Sequence, residues 1–553
     1  MALPDDLFAA IDMGTNSIKM IIVQFHPPSG RFLTVARHSD RVCLGRDSAA
    51  ASSNSSPSIS PDAVLEALRC LRQFTEILRA RGIPPRRTRC VATSAVREAA
   101  NGSELVEAVR AATGLDVSVL SGEEEARLAY SGVIQFFPVR EKRALLIDIG
   151  GGSTEFAIGE GGIVDFATSL KLGHVSLTQR FAGGDVVGGM RNFIRAAVKD
   201  SGLVQQVKRF GFEVAVGSSG TIGAVEKAVF HGYGDVNVAA ETDTSAEELL
   251  RRHVKRDWRF SRVELKRVVE RLCTEEGQEE KEIREELFKK RSEFIVAGTL
   301  LLEEIFELLG IEEMEVSEYA LGEGVVAEAL KEEFNEVGFK LNANPRWNSV
   351  VRLATRFNNK KRVENGARCA AFAKGIFEGL RHCGKLIDLG GEDLECLEAA
   401  CLLHAIGLFA GKRGYHKQSY RVIMEGNHLY GFSTEEIKLI ALLARHHTKK
   451  FPKPYQASLA ETPEEFRQKL QGLCTIIRMS VVLQKNKRLN FEDMELSPLD
   501  GGFRLVLKHA GDQPISLSEE MKKDLRGELE HFKMVFKQQL SVDIPSISEA
   551  SKS

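Results

Sequence analysis

Along the first 330 or so residues, apolar positions recur in two alternating rhythms. Short runs rich in β-branched residues, FAAID, SIKMIIVQF, CVATSAV, LDVSVL, RALLIDIG, TEFAIG and EVAVG, predict strands. Between them lie stretches such as DAVLEALRCLRQFTEIL, with apolar residues three or four apart, which predict amphipathic helices. Strands alternating with helices argue for an α/β fold. From about residue 340 the pattern turns helical, and a strand signal returns only near GGFRLVLKHA. Boundaries are therefore expected around FKLNANPRWN and at NKRLNFED, near residue 488. The polar segment Ser48–Pro61 reads as a surface linker. The Glu- and Lys-rich stretch Thr274–Arg291 reads as a solvated helix face without a function.

An internal repeat is the most informative pattern. Asp12-Met13-Gly14-Thr15-Asn16-Ser17 recurs as Asp148-Ile149-Gly150-Gly151-Gly152-Ser153, and each copy is flanked by strand-like runs on both sides. Two matched strand–turn–strand units about one domain apart predict two similar lobes facing a cleft. Glycine lets the backbone approach a ligand closely, so that successive N–H groups converge on an anion; Ser and Thr hydroxyls add donors. Asp12 and Asp148 each close a strand at the lip of such a cleft, where a carboxylate can hold hydrated magnesium. Glu155, seven residues beyond Asp148, is a second candidate ligand. A third loop, Gly217-Ser218-Ser219-Gly220-Thr221, leads from the strand VAV into the helix IGAVEKAVF. A helix N-terminus favours anions through its free N–H groups and its dipole.

Ser121 with Glu124 marks a helix start in SGEEEARLAYSGV. Glu125, Leu128, Ala129, Gly132 and Val133 then share one face, which turns Glu125 inward and leaves Glu123, Glu124 and Arg127 off the stripe. An inward carboxylate either pairs with a cation or activates a water, and partial burial would make it a better base. The helical phase leaves both roles open.

Composition narrows the partners. The 75 basic and 77 acidic side chains leave a net charge of -2, so no long-range field gathers an anionic polymer and no specific nucleic-acid binding is expected. Any attraction for a polyanion must be local. The nine cysteines include no C-x-x-C pair and point to reduced thiols. No apolar run reaches the roughly 18 residues of a membrane span. The N-terminal MALPDDLFAAID enters a strand at once, leaving no room for a targeting peptide, so the expected location is cytoplasmic.

The stretches AAIDMGTNSIKMIIV, ATSAVREAANG, SGEEEARLAYSGV, LLIDIGGGSTEFAIG, SLKLGHVSLTQRF and VAVGSSGTIGAV, in this order, resemble the exopolyphosphatase/guanosine pentaphosphate phosphatase (Ppx/GppA) family in its long, four-domain form. The resemblance implies two actin-like ATPase (ribonuclease H-like) lobes at 1–136 and 137–330, a helical HD-like domain at 331–487 and a small α+β domain at 488–553. It implies release of terminal phosphate from inorganic polyphosphate or from pppGpp, with Glu125 as general base and Asp148 and Glu155 at a magnesium ion. Gly14, Thr15, Asn16, Ser17, Arg97, Gly150, Gly151, Gly152, Ser153 and the loop Gly217, Ser218, Ser219, Gly220, Thr221 correspond to phosphate-binding positions. A homodimer formed through the helical domain is a further expectation.

The sequence departs from the family pattern in two places. Gly322 stands where the family usually carries Arg, and Tyr319 where it often carries Gly. The segment AACLLHAIG resembles the HD phosphohydrolase core, but Ala405 follows His404 where an Asp ligand belongs, so no transition metal is expected and His404 reads as a hydrogen-bonded core residue. His416, His446, His447, Lys449 and Lys450 read either as a basic lip or as a solvated helix end. Two other function classes stay open at this level: a weakly catalytic polyphosphate- or alarmone-binding regulator, and an actin-like ATPase or kinase.

Overall fold

A computed structural model describes residues 6–45, 57–137, 141–182, 186–234, 246–274, 278–334, 344–386, 388–448, 463–487, 489–509 and 517–543. Residues 48–56 of the polar segment and Lys449 and Lys450 lie outside the described residues. Contacts divide the chain into one unit of residues 3–246 and 256–344 and another of 247–255 and 345–553.

In the first unit the apolar runs form two sheets. β1 (Asp6–Met13), β2 (Ile18–His26), β3 (Arg31–Asp40), β4 (Thr88–Ala92) and β5 (Val117–Val119) lie in the order β3-β2-β1-β4-β5. The first three are antiparallel neighbours; β4 and β5 join in parallel. The crossover helix Pro61–Ala80 lies between β3 and β4 in the chain, as a parallel β1–β4 pairing requires. The second sheet contains β6 (Ala144–Ile149), β7 (Thr154–Glu160), β8 (Ile163–Leu170), β9 (Val214–Ser218), β10 (Arg259–Ser261) and β11 (Glu313–Ser317), in the order β10-β11-β9-β6-β7-β8. With β10 set aside as an extra edge strand, the path β8-β7-β6-β9-β11 repeats that of the first sheet. These are the two similar lobes that the internal repeat predicts, in the actin-like form that the family resemblance implies. One strand expectation overran: CVATSAV stays extended only to Ala92 and then turns helical at Ser94–Arg97.

Two helices cross between the lobes. Gly122–Ile134 comes from the first half of the sequence, yet Ala126, Ala129, Tyr130 and Val133 pack on Ala144, Leu146 and Ala157 of the second sheet. Leu321–Glu333 packs in return on β1 and against Gly122–Ile134. Glycine permits the crossing: a Cβ on Gly324 would lie 1.8 Å from the Leu128 carbonyl oxygen, and one on Gly132 2.2 Å from that of Ala320. The start of Gly122–Ile134, where Glu125 sits, is thereby held at the junction of the lobes.

The second unit is built from the helices Pro345–Phe357, Lys360–His382, Gly391–Leu403, Tyr415–Glu425, Thr434–His446, Glu464–Leu483 and Glu519–Phe536, with Ala246–Val254 among them through a stack of His253 on Phe409. β12 (Leu489–Leu499), β13 (Gly502–His509) and β14 (Gln539–Asp543) form a separate sheet. The sequence pattern announced only β13. NFEDMELSPL is too polar, and QLSVD too short, to stand out as strands. Among the described residues no single helix is long and apolar enough to cross a membrane.

Candidate active site

The two repeat turns close alike. Gly14 N–H donates to the Ser17 carbonyl at 3.2 Å, and Gly150 N–H to that of Ser153 at 2.9 Å. Each hairpin sets its Asp opposite the residue seven positions on, Asp12 opposite Lys19 and Asp148 opposite Glu155. The turns meet face to face. A Cβ on Gly151 would lie 3.1 Å from Thr15 Cβ, and one on Gly152 2.9 Å from Thr15 Oγ1 and 2.8 Å from Ser94 Oγ. The third loop is tighter than the sequence suggests. β9 runs through Ser218 directly into the helix Gly220–Phe230, with Ser219 as N-cap at φ 119° and its Oγ accepting from Ile222 N–H. A non-glycine residue rarely holds such a φ, and strain of this kind concentrates at functional sites.

These loops wall a cleft of about 300 Å³. Gly14, Thr15, Asn16, Ser17, Gly150, Gly151 and Ser153 line it from the two turns, and Ser219, Gly220 and Thr221 from the helix N-terminus. Glu125, Asp148 and Glu155 line it too. Gly152, Gly217, Ser218 and Arg97 do not. Gly152 is taken up by packing on Thr15 and Ser94, and Gly217 sits in β9 against Met314 and Ile222. Ser218 Oγ donates to Asp148 Oδ2 at 2.7 Å.

Burial raises the affinity of Asp12, Glu125, Asp148 and Glu155 for protons. Burial raises Glu125 to about 7, against the pull of Arg97 and with help from Asp12 and Asp148. Glu155, 3% exposed, is raised well above the carboxylate range by burial and by repulsion from Glu125 and Asp148. Burial also raises Asp12 and Asp148, and Lys19 offsets part of each. Carboxyls buried together in this way favour a cation among them. Asp12 Oδ1 is buried and has no hydrogen-bond partner among the described residues, an open oxygen of the kind magnesium takes. Among the described residues no three His, Cys, Asp or Glu side chains form a metal cage.

Ser121 Oγ accepts from Glu124 N–H and caps the helix, and the phase turns Glu125 inward at 8% exposure. Arg127, off the stripe, pairs with Glu328 at 2.7 Å. The inward carboxylate has a cation: Arg97 Nη1 donates to Glu125 Oε2 at 2.9 Å and to the Leu120 carbonyl at 2.9 Å. Arg97 is thus engaged by Glu125 and a backbone carbonyl, and it is not among the residues that line the cleft.

Several lining residues escaped the sequence reading: Lys19, Arg37, Arg41, Thr93, His174 and Arg291. Lys19 was within reach, because a symmetric hairpin puts it opposite Asp12. Arg291 ends the charged run read as a functionless helix face. Its guanidinium instead lies over Gly220, 1.9 Å from where a Cβ would stand. His174 starts the helix His174–Arg180, and burial and Arg291 lower it to about 4, so it faces the cleft neutral. Gly322 lies against Ile21, with a Cβ position 3.2 Å from Ile21 Cδ1. Beside it Arg37 supplies a guanidinium to the same wall, 2.6 Å from Glu323 Oε1. Tyr319 is buried and stacks on Phe136 at 3.8 Å.

In the second unit, His404 is 7% exposed and bonds the Cys401 carbonyl through Nδ1 at 2.7 Å, as a core histidine does. His416, His446 and His447 form neither a basic lip nor a solvated helix end. They are 8%, 7% and 1% exposed, and burial keeps His447 well below the usual range and uncharged.

Two facing glycine turns and a helix N-terminus around buried carboxyls define a two-lobed actin-like protein with a polar cleft. The Ppx/GppA phosphatase family model matches residues 22–333, more than half of the chain, and the model of that family's domain III matches 346–521. The chain belongs to the Ppx/GppA phosphatase family. Among solved structures, an exopolyphosphatase from Cytophaga hutchinsonii is similar at 24% identity over 59% of this chain and 98% of that one, with a TM-score of 0.49. The Aquifex aeolicus member of the Ppx/GppA family is similar at 25% identity over 60% of this chain and 99% of that one, with a TM-score of 0.46.

Proposed function

We propose that this phosphatase releases the terminal phosphate of inorganic polyphosphate or of pppGpp, with water as acceptor and Glu125 as general base. The observation that carries this reading is the placement of Glu125. It is a buried carboxyl, titrating at about 7, at the lobe junction and on the wall of a cleft built from three N–H-rich loops. A base works best when its pKa lies near the working pH.

Phosphoryl transfer needs positioning and charge neutralisation more than covalent help. The Gly14–Ser17 and Gly150–Ser153 turns and the N-terminus at Gly220 supply donors for the terminal phosphate. Lys19, Arg41 and Arg291 supply cations around it, and Arg37 supplies the one missing at Gly322. Glu125 accepts a proton from water as its oxygen bonds to the terminal phosphorus and the bridging P–O bond breaks, the electron pair leaving with the shortened chain. One or two of Asp12, Asp148 and Glu155 would hold magnesium, which when bound would neutralise phosphate charge. The neutral His174 adds no charge and can orient a phosphate oxygen through a hydrogen bond.

The test is phosphate release with magnesium from long-chain polyphosphate, pppGpp and ATP in parallel. Turnover of one of the first two well above ATP is expected. Release from ATP alone would replace this reading with that of an ATPase.

A further inference from the structure

Remote in sequence from the cleft residues, the second unit carries an open cavity of about 610 Å³, within the range of small-molecule sites. Two imidazoles in edge-on contact line it, His404 and His447, with ring centroids 4.7 Å apart and planes at 64°. Each ring Nδ1 faces a backbone carbonyl at 2.7 Å, that of Cys401 for His404 and that of Ala444 for His447. A carbonyl only accepts, so each Nδ1 bears the proton and each Nε2 presents a lone pair. His447 Nε2 takes the Tyr415 hydroxyl at 2.8 Å. No such partner occupies His404 Nε2 among the described residues.

Leu408, Val481 and Val482 give the cavity an apolar side. Its rim is cationic, but not uniformly available. Arg478 is spent on Glu528, at 2.7 and 2.8 Å, and Lys485 on Asp524, at 2.6 Å. Arg362 and Lys523 line the same cavity without an ion pair among the described residues. A deep hydrogen-bond acceptor, an apolar flank and two uncommitted cations at the mouth match a ligand with a donor-bearing planar ring at one end and phosphate at the other.

We propose that this cavity is a second ligand site and that it takes a nucleoside phosphate. The base lies against Leu408, Val481 and Val482 with an amino group donating to His404 Nε2, and the phosphate meets Arg362 and Lys523. The proposal is independent of the hydrolytic reading of the cleft.

The test uses the full-length chain and AMP, which has no phosphoanhydride bond to hydrolyse, in calorimetric titration. Inorganic phosphate is the second probe. Saturable AMP binding is expected, weakened about tenfold or more by Arg362→Glu with Lys523→Glu, since each change removes a charge-assisted hydrogen bond and sets a like charge against phosphate. That double variant should keep wild-type phosphate release, because neither residue belongs to the cleft. Asp148→Asn should leave AMP affinity unchanged. Tyr415→Phe, a small change that frees His447 Nε2, should alter AMP affinity while leaving that of phosphate alone. The proposal is overturned by absence of AMP binding at millimolar concentration, by a loss of affinity in Asp148→Asn but not in the double variant, or by inorganic phosphate binding as tightly as AMP.

Discussion

Replacing Arg97 by Met removes the cation on Glu125 and keeps most of the side-chain length. The guanidinium is 2.9 Å from Glu125 Oε2 and only 20% exposed, so water screens the pair little. A cation at that range commonly lowers a carboxyl by about 1–3 units. Without it, burial and the repulsion of Asp12 and Asp148 remain, and all of them raise Glu125 above its present value of about 7. The acid limb of kcat/KM should therefore move up by about 1–3 units. At neutral pH the ionised fraction then falls from near half, and activity drops by roughly 5- to 500-fold. The loss should be recovered as pH rises past the new limb. The assay is kcat/KM for phosphate release from about pH 5.5 to 10 at fixed magnesium. A loss of equal size at every pH, with the limb unmoved, would refute this reasoning. It would return Arg97 to the substrate, the role that the motif resemblance implies.

Three further outcomes are expected. Asp148→Asn and Asp12→Asn should each raise the magnesium concentration needed for half-maximal activity, and an unchanged requirement would remove these carboxylates from the metal. Gly324→Val drives a side chain into the Leu128 carbonyl, so urea unfolding should show a loss of about 2 kcal/mol or more, whereas Gly223→Ala, which meets nothing within 4 Å, should stabilise by about 0.5–1 kcal/mol. Glu125 rises on folding from 4.5 to about 7, so the wild type loses up to about 3 kcal/mol as pH climbs through that window, the unfolded chain releasing its proton first. Glu125→Gln lacks this loss, so its Tm relative to wild type should be higher at pH 8 than at pH 4.5, and an equal difference at both would deny the raised carboxyl.

The repeat was legible because glycine, Asp and Ser in a strand–turn–strand setting leave few other readings, and Glu125 because helical phase is local. What escaped depends on residues distant in sequence. Arg37 and Arg41 come from β3 and the chain just after it, and Arg291 from the end of a charged run, so only the closed fold brings them to one cleft. Arg97 was legible as a residue of importance but not in its placement, because a motif does not say which side of a carboxylate a guanidinium occupies. His446 and His447 look like a charged end beside Lys449 and Lys450, yet they are buried. Departures such as Gly322 were visible, but not that Arg37, from a different strand, lines the same cleft.

The central claim is that Glu125 takes the proton from the attacking water. Its most direct test is phosphate release by Glu125→Gln against wild type on whichever of polyphosphate and pppGpp the wild type hydrolyses. The substitution is nearly isosteric and leaves the Ser121 cap intact. The account predicts a loss of about 10²–10⁴ in kcat with little change in KM, while Glu124→Gln, off the inward face, loses far less. A Glu125→Gln enzyme that keeps most of its turnover would contradict it.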